Sequence, residues 1–191
     1  MSHFPFIDND ALKNNLDTTF RHIVELVAIA DEYDKILSSS FRKTIIIYTA
    51  SVIEALLLWR LKKKIKSTKV ELSDKWKYYN IKILHQIDTS EEIIGGNRKK
   101  EKKDINKLDF VRVIDLCVKH GIITEQFSEK AHKVRELRNR LHIGGLAEIE
   151  KEYTKKDLNF VFGVAKKVKN TVSKEFRFRP LGSKYTKIGG L

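Results

Sequence analysis

The chain has 191 residues, 41% of them hydrophobic, which is enough for one domain with a sizeable core and too apolar for an intrinsically disordered protein. The formal net charge is +13, and residues 1–36 hold seven acidic and three basic residues, so the rest of the chain carries +17. Such an excess attracts polyanions, of which RNA, DNA and anionic membranes all qualify, unless the basic surface serves only solubility.

The single cysteine, Cys117, excludes a disulfide framework and is typical of a reducing compartment. The first ten residues have neither a basic start nor an apolar stretch, so we expect no secretory signal peptide and a cytoplasmic protein. The only prolines are Pro5 and Pro180, and no proline must break a helix between them. These features favour an all-α fold.

The first two predicted helices are long. Asp8, Asn9 and Asp10 supply N-cap chemistry for a first helix that we expect to run to about Leu37. The serines at 38–40 should break it and cap a second helix over 41–65, whose centre is apolar nearly all round and therefore buried. We expect that apolar stretch to be too short for a membrane span, because a span needs about 20 residues.

The helical period is lost between residues 68 and 100, where β-branched and aromatic residues are frequent. We predict a small β insertion here, between the second and third helices, with a turn at Gly95-Gly96 and a basic tip. Its lysines and arginine, with the basic end of the second helix, are candidate RNA contacts or else a solvated surface. The candidates are Lys62, Lys63, Lys64, Arg98, Lys99, Lys100, Lys102 and Lys103.

Three further helices follow. The third should span 108–120 and end at Gly121, and the fourth should begin after Thr124 and run to about His142. The fifth should begin with the capping box of Thr154 and Asp157. We therefore predict an up-and-down bundle of four to five helices, forming one domain over 1–175, with a basic C-terminal tail over 176–191.

The fourth helix contains an anomaly. The helical period places Arg138 in the centre of the buried stripe formed by Phe127, Ala131, Val134 and Leu141. A buried cation needs a partner or an opening.

Glu54, a lone acid in the apolar second helix, is the matching anomaly, and we predict that it contacts Arg138 or Arg135. Two interpretations stay open. Arg138 is a structural arginine with His142 facing a helix end, or Arg135, Arg138 and His142 line a cleft or a symmetry mate where phosphate binds.

The segment "RELRNRLHIGG" resembles the signature of the HEPN superfamily, an arginine, often followed by asparagine, and then a histidine a few residues later. The stretches "GIITEQFSEKAHKV" and "TASVIEALLLWRL" are also similar to bundle helices of that superfamily, so the resemblance covers most of residues 10–175. It implies an all-α bundle, a homodimer with both signatures at the interface, and often metal-independent RNA cleavage.

The resemblance assigns the catalytic histidine to His142. Arg135 leaves six residues before it, which is the usual spacing, whereas Arg138 leaves three but carries the following asparagine, Asn139. Both arginines are therefore candidate catalytic residues, supported by Asn139 and Glu54.

The implied function is a metal-independent endoribonuclease of a toxin or defence system, cleaving RNA by attack of the 2′-OH. The alternative is a catalytically silent RNA-binding or scaffold module. We expect RNA, a second copy and a cognate antitoxin as partners, and no membrane. No cofactor or metal is expected, because no other histidine has a second ligand at metal spacing.

Overall fold

The computed structural model describes residues 1–68, 76–100, 104–140 and 152–177, which form five α-helices and one two-stranded antiparallel sheet. The predicted mostly helical character with a small β element is confirmed. The elements in chain order are α1 (Asp10–Ile29), α2 (Lys35–Thr68), β1 (Trp76–Gln86), β2 (Glu92–Lys100), α3 (Phe110–Lys119), α4 (Glu125–Asn139) and α5 (Lys155–Arg177).

The chain divides into two compact units. The helical unit comprises Met1–Leu61 and Phe110–Leu191, and the hairpin unit comprises Lys62–Asp109. The predicted basic insertion over 68–100 falls within the second of these.

The boundary between the first two helices differs from the prediction. The Asp34 carboxylate accepts the backbone N–H groups of Ile36 and Leu37, both at 2.9 Å, and so begins α2 before the serine run. The serines at 38–40 lie inside the helix, and the Ser40 hydroxyl donates to the carbonyl of Ile36 at 3.2 Å. A serine satisfied in this way can stay within a helix, so the predicted break at 38–40 is wrong.

Helix α2 supplies half of the twelve largest fully buried side chains among the described residues, as its apolar sequence predicts. They are Ile45, Ile46, Ile53, Leu56, Leu57 and Leu61. The expectation that this stretch is too short for a membrane span is wrong on length, because the helix has 34 residues. By length and composition it could cross a bilayer, yet 56% of its most apolar window is buried inside the protein, and a core helix meets the same criterion.

The predicted caps of the other helices are confirmed. Asn9 accepts the backbone N–H of Leu12 at 2.8 Å, and Gly121 takes the left-handed conformation after α3 with φ of +65°. Thr124 caps α4 and accepts from the Phe127 N–H at 3.3 Å.

The capping box of α5 is also formed, because Thr154 and Asp157 exchange side-chain and backbone hydrogen bonds at 2.9 and 3.2 Å. Helix α4 contacts both α3 and α5. It ends at Asn139, earlier than predicted, because the ψ of Arg140 is −2° and lies outside the α-helical range. Helix α5 continues to Arg177, so the first two residues of the predicted tail are helical. Residues 178–191 lie outside the described residues.

The turn of the hairpin lies at 87–91, so the predicted turn at Gly95-Gly96 is wrong. The Asp88 carboxylate accepts the backbone N–H groups of Ser90 and Glu91 at 2.7 and 2.9 Å and holds the turn. Gly95 and Gly96 lie within β2 instead. A Cβ at Gly95 would lie 2.8 Å from Cδ1 of Leu84, so this glycine makes room for a cross-strand side chain.

We predict that Asp34→Ala lowers the free energy of unfolding by about 1 kcal/mol, because α2 loses the acceptor at its first turn. The matched control is Ser40→Ala, in the serine run that the sequence suggested as the cap; it should change stability by less than about 0.5 kcal/mol. Urea denaturation followed by circular dichroism measures both. A larger loss for Ser40→Ala than for Asp34→Ala would assign the cap to the serine run.

Candidate functional site

Arg138 and Glu54, the two charged residues that the sequence analysis singled out, are in contact. Nη1 of Arg138, in the last turn of α4, donates to Oε2 of Glu54, in the middle of α2, at 2.6 Å. The predicted contact is confirmed. A hydrogen bond between two charged groups at this length is among the stronger polar contacts in proteins. The side chains are 32% and 23% exposed, so the pair lies at the edge of the core with access to solvent.

The helical period keeps Arg138 within the apolar stripe of α4, but its side chain is only partly buried. The buried positions of the helix lie on both sides of Arg138 and are Phe127, Ser128, Ala131, Val134 and Leu137. Leu141, the other predicted member of the stripe, lies outside the described residues. Because Arg138 is in the last turn of the helix, its long side chain can bury its stem and keep its charged group near water.

An aromatic ring also contacts the Arg138 guanidinium. The ring of Phe110, the first residue of α3, has its centroid 5.9 Å from Cζ of Arg138. Sequence reasoning missed Phe110, because nothing in its local pattern links the start of α3 to the end of α4. The guanidinium of Arg138, on α4, is thus contacted by residues of α2 and α3. The hydrogen bond to Glu54 uses an N–H of Nη1, and a guanidinium has five N–H donors in all.

Arg135 lies one turn earlier on α4, and its ion pair is longer than that of Arg138. Its side chain is 24% exposed, and Nη2 lies 3.6 Å from the exposed carboxylate of Glu136. Its Nε is buried and has no hydrogen-bond partner among the residues that the structure describes. A buried donor without a partner is uncommon in native proteins, but Nε of Arg42 is a second example among the described residues, so this feature alone does not mark a functional site.

Of the two other signature residues, Asn139 and His142, the structure describes only Asn139. Asn139 is exposed at the end of α4, next to Arg138. His142 lies outside the described residues, so its distance to Arg135 and Arg138 is not part of the geometry. The site that the structure places is therefore an arginine pair on one edge of α4, with Glu54 and Phe110 behind Arg138.

The candidate RNA contacts belong to the hairpin unit. Lys62, Lys63 and Lys64 are partly exposed near the end of α2, and Arg98 and Lys99 are exposed on β2. The Arg98 guanidinium stacks on the ring of Trp76 at 4.5 Å. Lys100 ends β2, and Lys102 and Lys103 lie outside the described residues.

The described part of the chain supports neither a nucleophilic cysteine nor a metal site. Burial raises the pKa of the Cys117 thiol to about 12, and its Sγ lies 3.7 Å from the carbonyl oxygen of Leu57. A thiol in that state is not a nucleophile at neutral pH. Over residues 1–68, 76–100, 104–140 and 152–177, no three His, Cys, Asp or Glu side chains are grouped to hold a metal ion.

We predict that Glu54→Ala lowers the free energy of unfolding by about 1.5 to 3 kcal/mol, the range for hydrogen bonds to charged groups, because Arg138 loses its partner. Glu136→Ala removes an exposed acid beside Arg135 and is the matched control, with a change below about 0.5 kcal/mol.

A double-mutant cycle with Arg138→Ala measures the pairing directly. We expect the two substitutions to be non-additive by about 0.5 to 3 kcal/mol, as for side chains in direct contact. Additive effects would show that the pair does not contribute to stability.

We also predict that iodoacetamide at pH 8 leaves Cys117 unmodified in the folded protein and alkylates it in urea. Burial keeps the thiol protonated and inaccessible until the chain unfolds. Intact-mass spectrometry follows the reaction. Rapid alkylation of the folded protein would contradict the buried placement of this side chain.

Comparisons with protein-family models, with curated proteins and with solved structures found no match in any of the three. The assignment of a function therefore depends on the residues of this chain and their geometry.

Proposed function

We propose that the protein is a metal-independent endoribonuclease of the HEPN type, with the signature at the end of α4 as its active site. The observation that supports this most is the 2.6 Å bond between Glu54 and Arg138, which holds a guanidinium on the border of the core, next to a second arginine. A positioned cation can stabilise the charge that develops on a phosphate during phosphodiester cleavage, and a histidine can serve as the general acid or base.

In the proposed reaction the ribose 2′-OH attacks the adjacent phosphorus and the bond from phosphorus to the 5′ oxygen breaks. His142 either accepts the proton of the 2′-OH, with water protonating the leaving 5′ oxygen, or donates a proton to the leaving 5′ oxygen, with water accepting the proton of the 2′-OH. The products are a 2′,3′-cyclic phosphate and a 5′-OH end. Because the nucleophile belongs to the RNA, the proposed step needs no metal ion to generate one.

The two arginines differ in a way that favours separate roles. The charge of Arg138 is balanced by Glu54, so Arg138 suits a positioning role at the end of α4. Among the described residues, the one ion pair of Arg135 is with the exposed carboxylate of Glu136 at 3.6 Å, and such a contact is screened by water. In our proposal Arg135 supplies the larger share of positive charge to the scissile phosphate.

The proposal extends to the architecture and the setting of the site. The five helices form an up-and-down bundle into which the β hairpin is inserted between the second and third helices. Two copies pair with both signatures at their interface, in the cytoplasm, and an antitoxin protein restrains a toxin or defence activity. The pairing of two copies and the toxin or defence setting come from the resemblance of "RELRNRLHIGG" to the HEPN signature, whereas the bundle, the insertion and the location were expected from the helical periods and the composition.

The second candidate function is a catalytically silent RNA-binding or scaffold module. The same Glu54–Arg138 pair favours it, because an arginine neutralised by a carboxylate is also a common structural contact. Both functions predict RNA binding that weakens with salt, since both use the basic surface. Only the first predicts cleavage.

We predict that His142→Ala lowers the rate of RNA cleavage by about 10²- to 10⁴-fold while the melting temperature and RNA binding stay nearly unchanged, because a general acid–base is lost. The matched control is His132→Ala, which removes a histidine of α4 that lies 3.5 Å from Asp115 of α3, and this variant should cleave like the wild type. Rates are measured in EDTA with end-labelled RNA.

Two arginine variants test the separate roles proposed for Arg135 and Arg138. Arg135→Ala should lower activity with little loss of stability, whereas Arg138→Ala should lower both, because Arg138 anchors α4 to α2. Cleavage by His142→Ala at the wild-type rate would reject the nuclease assignment of this signature. A large drop in its melting temperature would make the histidine structural and favour the silent module.

A further inference from the structure

The open end of the hairpin, where β1 begins and β2 ends, combines aromatic and cationic residues. Trp76, Tyr78 and Tyr79 of β1 are 41%, 59% and 48% exposed. Residues 97–100 of β2 pair with this part of β1 and include one arginine and two lysines. The only acidic residue in the sequences of the two strands, Glu92, lies at the other end, next to the turn. Exposed rings among cations are typical of a surface that binds nucleic acid.

Two of the three rings share one side of the sheet with the arginine. The register has no shift between residues 76 and 79, so side chains alternate regularly there. Tyr78 is paired with Arg98, and Trp76 lies two residues before Tyr78, so all three point to the same side. The Arg98 guanidinium lies over the Trp76 ring, with Cζ 4.5 Å from the ring centroid. We call Trp76, Tyr78 and Arg98 the stacking face.

The other side of the same end carries two lysines and one ring. The cross-strand pair Lys77↔Lys99 lies there, next to Tyr79. These lysines need not touch a ligand on the stacking face, because a charge acts over a screening length of about 8 Å at physiological salt. They therefore raise the positive potential around the rings and favour a polyanion there.

The spacing of the stacking face suits unpaired bases. Alternate residues of a strand lie about 7 Å apart, roughly twice the step of about 3.4 Å between successive nucleotides of a stacked helix. Two successive bases that stack on Tyr78 and on the stacked pair of Trp76 and Arg98 must therefore be separated from one another. The interior bases of a double helix stay stacked and paired, so they cannot reach these rings.

We propose that the stacking face binds an unpaired segment of RNA, with one base against Tyr78 and a neighbouring base against the stacked pair of Trp76 and Arg98. Aromatic stacking accepts every base, so the contact adds affinity for single strands without reading sequence. This role rests on the proposed RNA substrate and specifies its class as single-stranded RNA, or the loops and ends of folded RNA. It needs no residue of the α4 site and applies to the nuclease and to the silent module alike.

Trp76 fluorescence reports a stacked base. The chain has two tryptophans, and the other, Trp59, is buried in the helical unit. The probe is a short single strand of mixed sequence with 2′-O-methyl riboses, because a blocked 2′-OH prevents the proposed cleavage. It should quench the fluorescence of the full-length protein, and Trp76→Phe should lose the quenching and still bind the probe. Polyphosphate, a polyanion without bases, should not quench.

Affinity for the same probe separates the rings from the charges. Tyr78→Leu should raise the dissociation constant by about 5- to 150-fold, the range for loss of one base stack, at low and at high salt. Tyr78→Phe keeps the ring and should bind like the wild type. The matched control is Tyr79→Leu, which removes an exposed ring from the other side and should also bind like the wild type. Lys99→Ala should weaken binding mainly at low salt.

Four results would overturn this proposal. They are a single strand that does not quench Trp76, a Tyr78→Leu protein that binds like the wild type, an equal loss of affinity in Tyr79→Leu, and an equal loss of affinity for an RNA duplex in Tyr78→Leu. A failure of the proposed nuclease is different: unmodified RNA stays intact, and the 2′-O-methyl strand still quenches Trp76. The two failures are therefore distinguishable.

Discussion

The ion pair between Glu54 and Arg138 is the constraint on which the candidate site depends. It joins positions 84 residues apart and ties the buried helix α2 to the last turn of α4. A carboxylate among the apolar residues of α2 would be costly without a cation, and the arginine needs the carboxylate for the same reason. The pair also holds the last turn of α4, which precedes His142 in the sequence, against α2. With Phe110 against the same guanidinium, α3 joins the arrangement, so the end of α4 is held by two other helices.

Charge is organised differently in the two units. In the helical unit, Asp31 forms ion pairs with Lys155 and Arg42, and their hydrogen bonds lower the pKa of its carboxyl. In the hairpin unit, Lys77, Lys82 and Lys99 lie on one side of the sheet, together with exposed apolar side chains. Part of the excess of +17 beyond residue 36 is thus carried by the hairpin unit, which suits a polyanion.

Local chemistry predicted the helices and most of their caps, because helix periodicity and capping side chains act over a few residues. The Glu54–Arg138 contact was also predictable, since each residue is an anomaly that only the other resolves. The start of α2 was not, because Asp34 and the serines at 38–40 are both good caps and the sequence does not rank them. The place of Gly95-Gly96 was missed for a related reason: a glycine pair serves a turn or a close cross-strand contact equally well, and only the position of Leu84 decides. The partial exposure of Arg138 was not predictable, because the helical period places a residue on a face without saying how far a long side chain reaches toward water.

The central claim is that this chain cleaves RNA with its own side chains and the 2′-OH of the substrate. The most direct measurement is the chemistry of the product ends after total RNA is incubated with purified full-length protein in EDTA. The account predicts fragments that carry 2′,3′-cyclic phosphates and 5′-OH ends. Intact RNA, fragments with 5′-phosphate ends, or cleavage that requires an added divalent metal would contradict it.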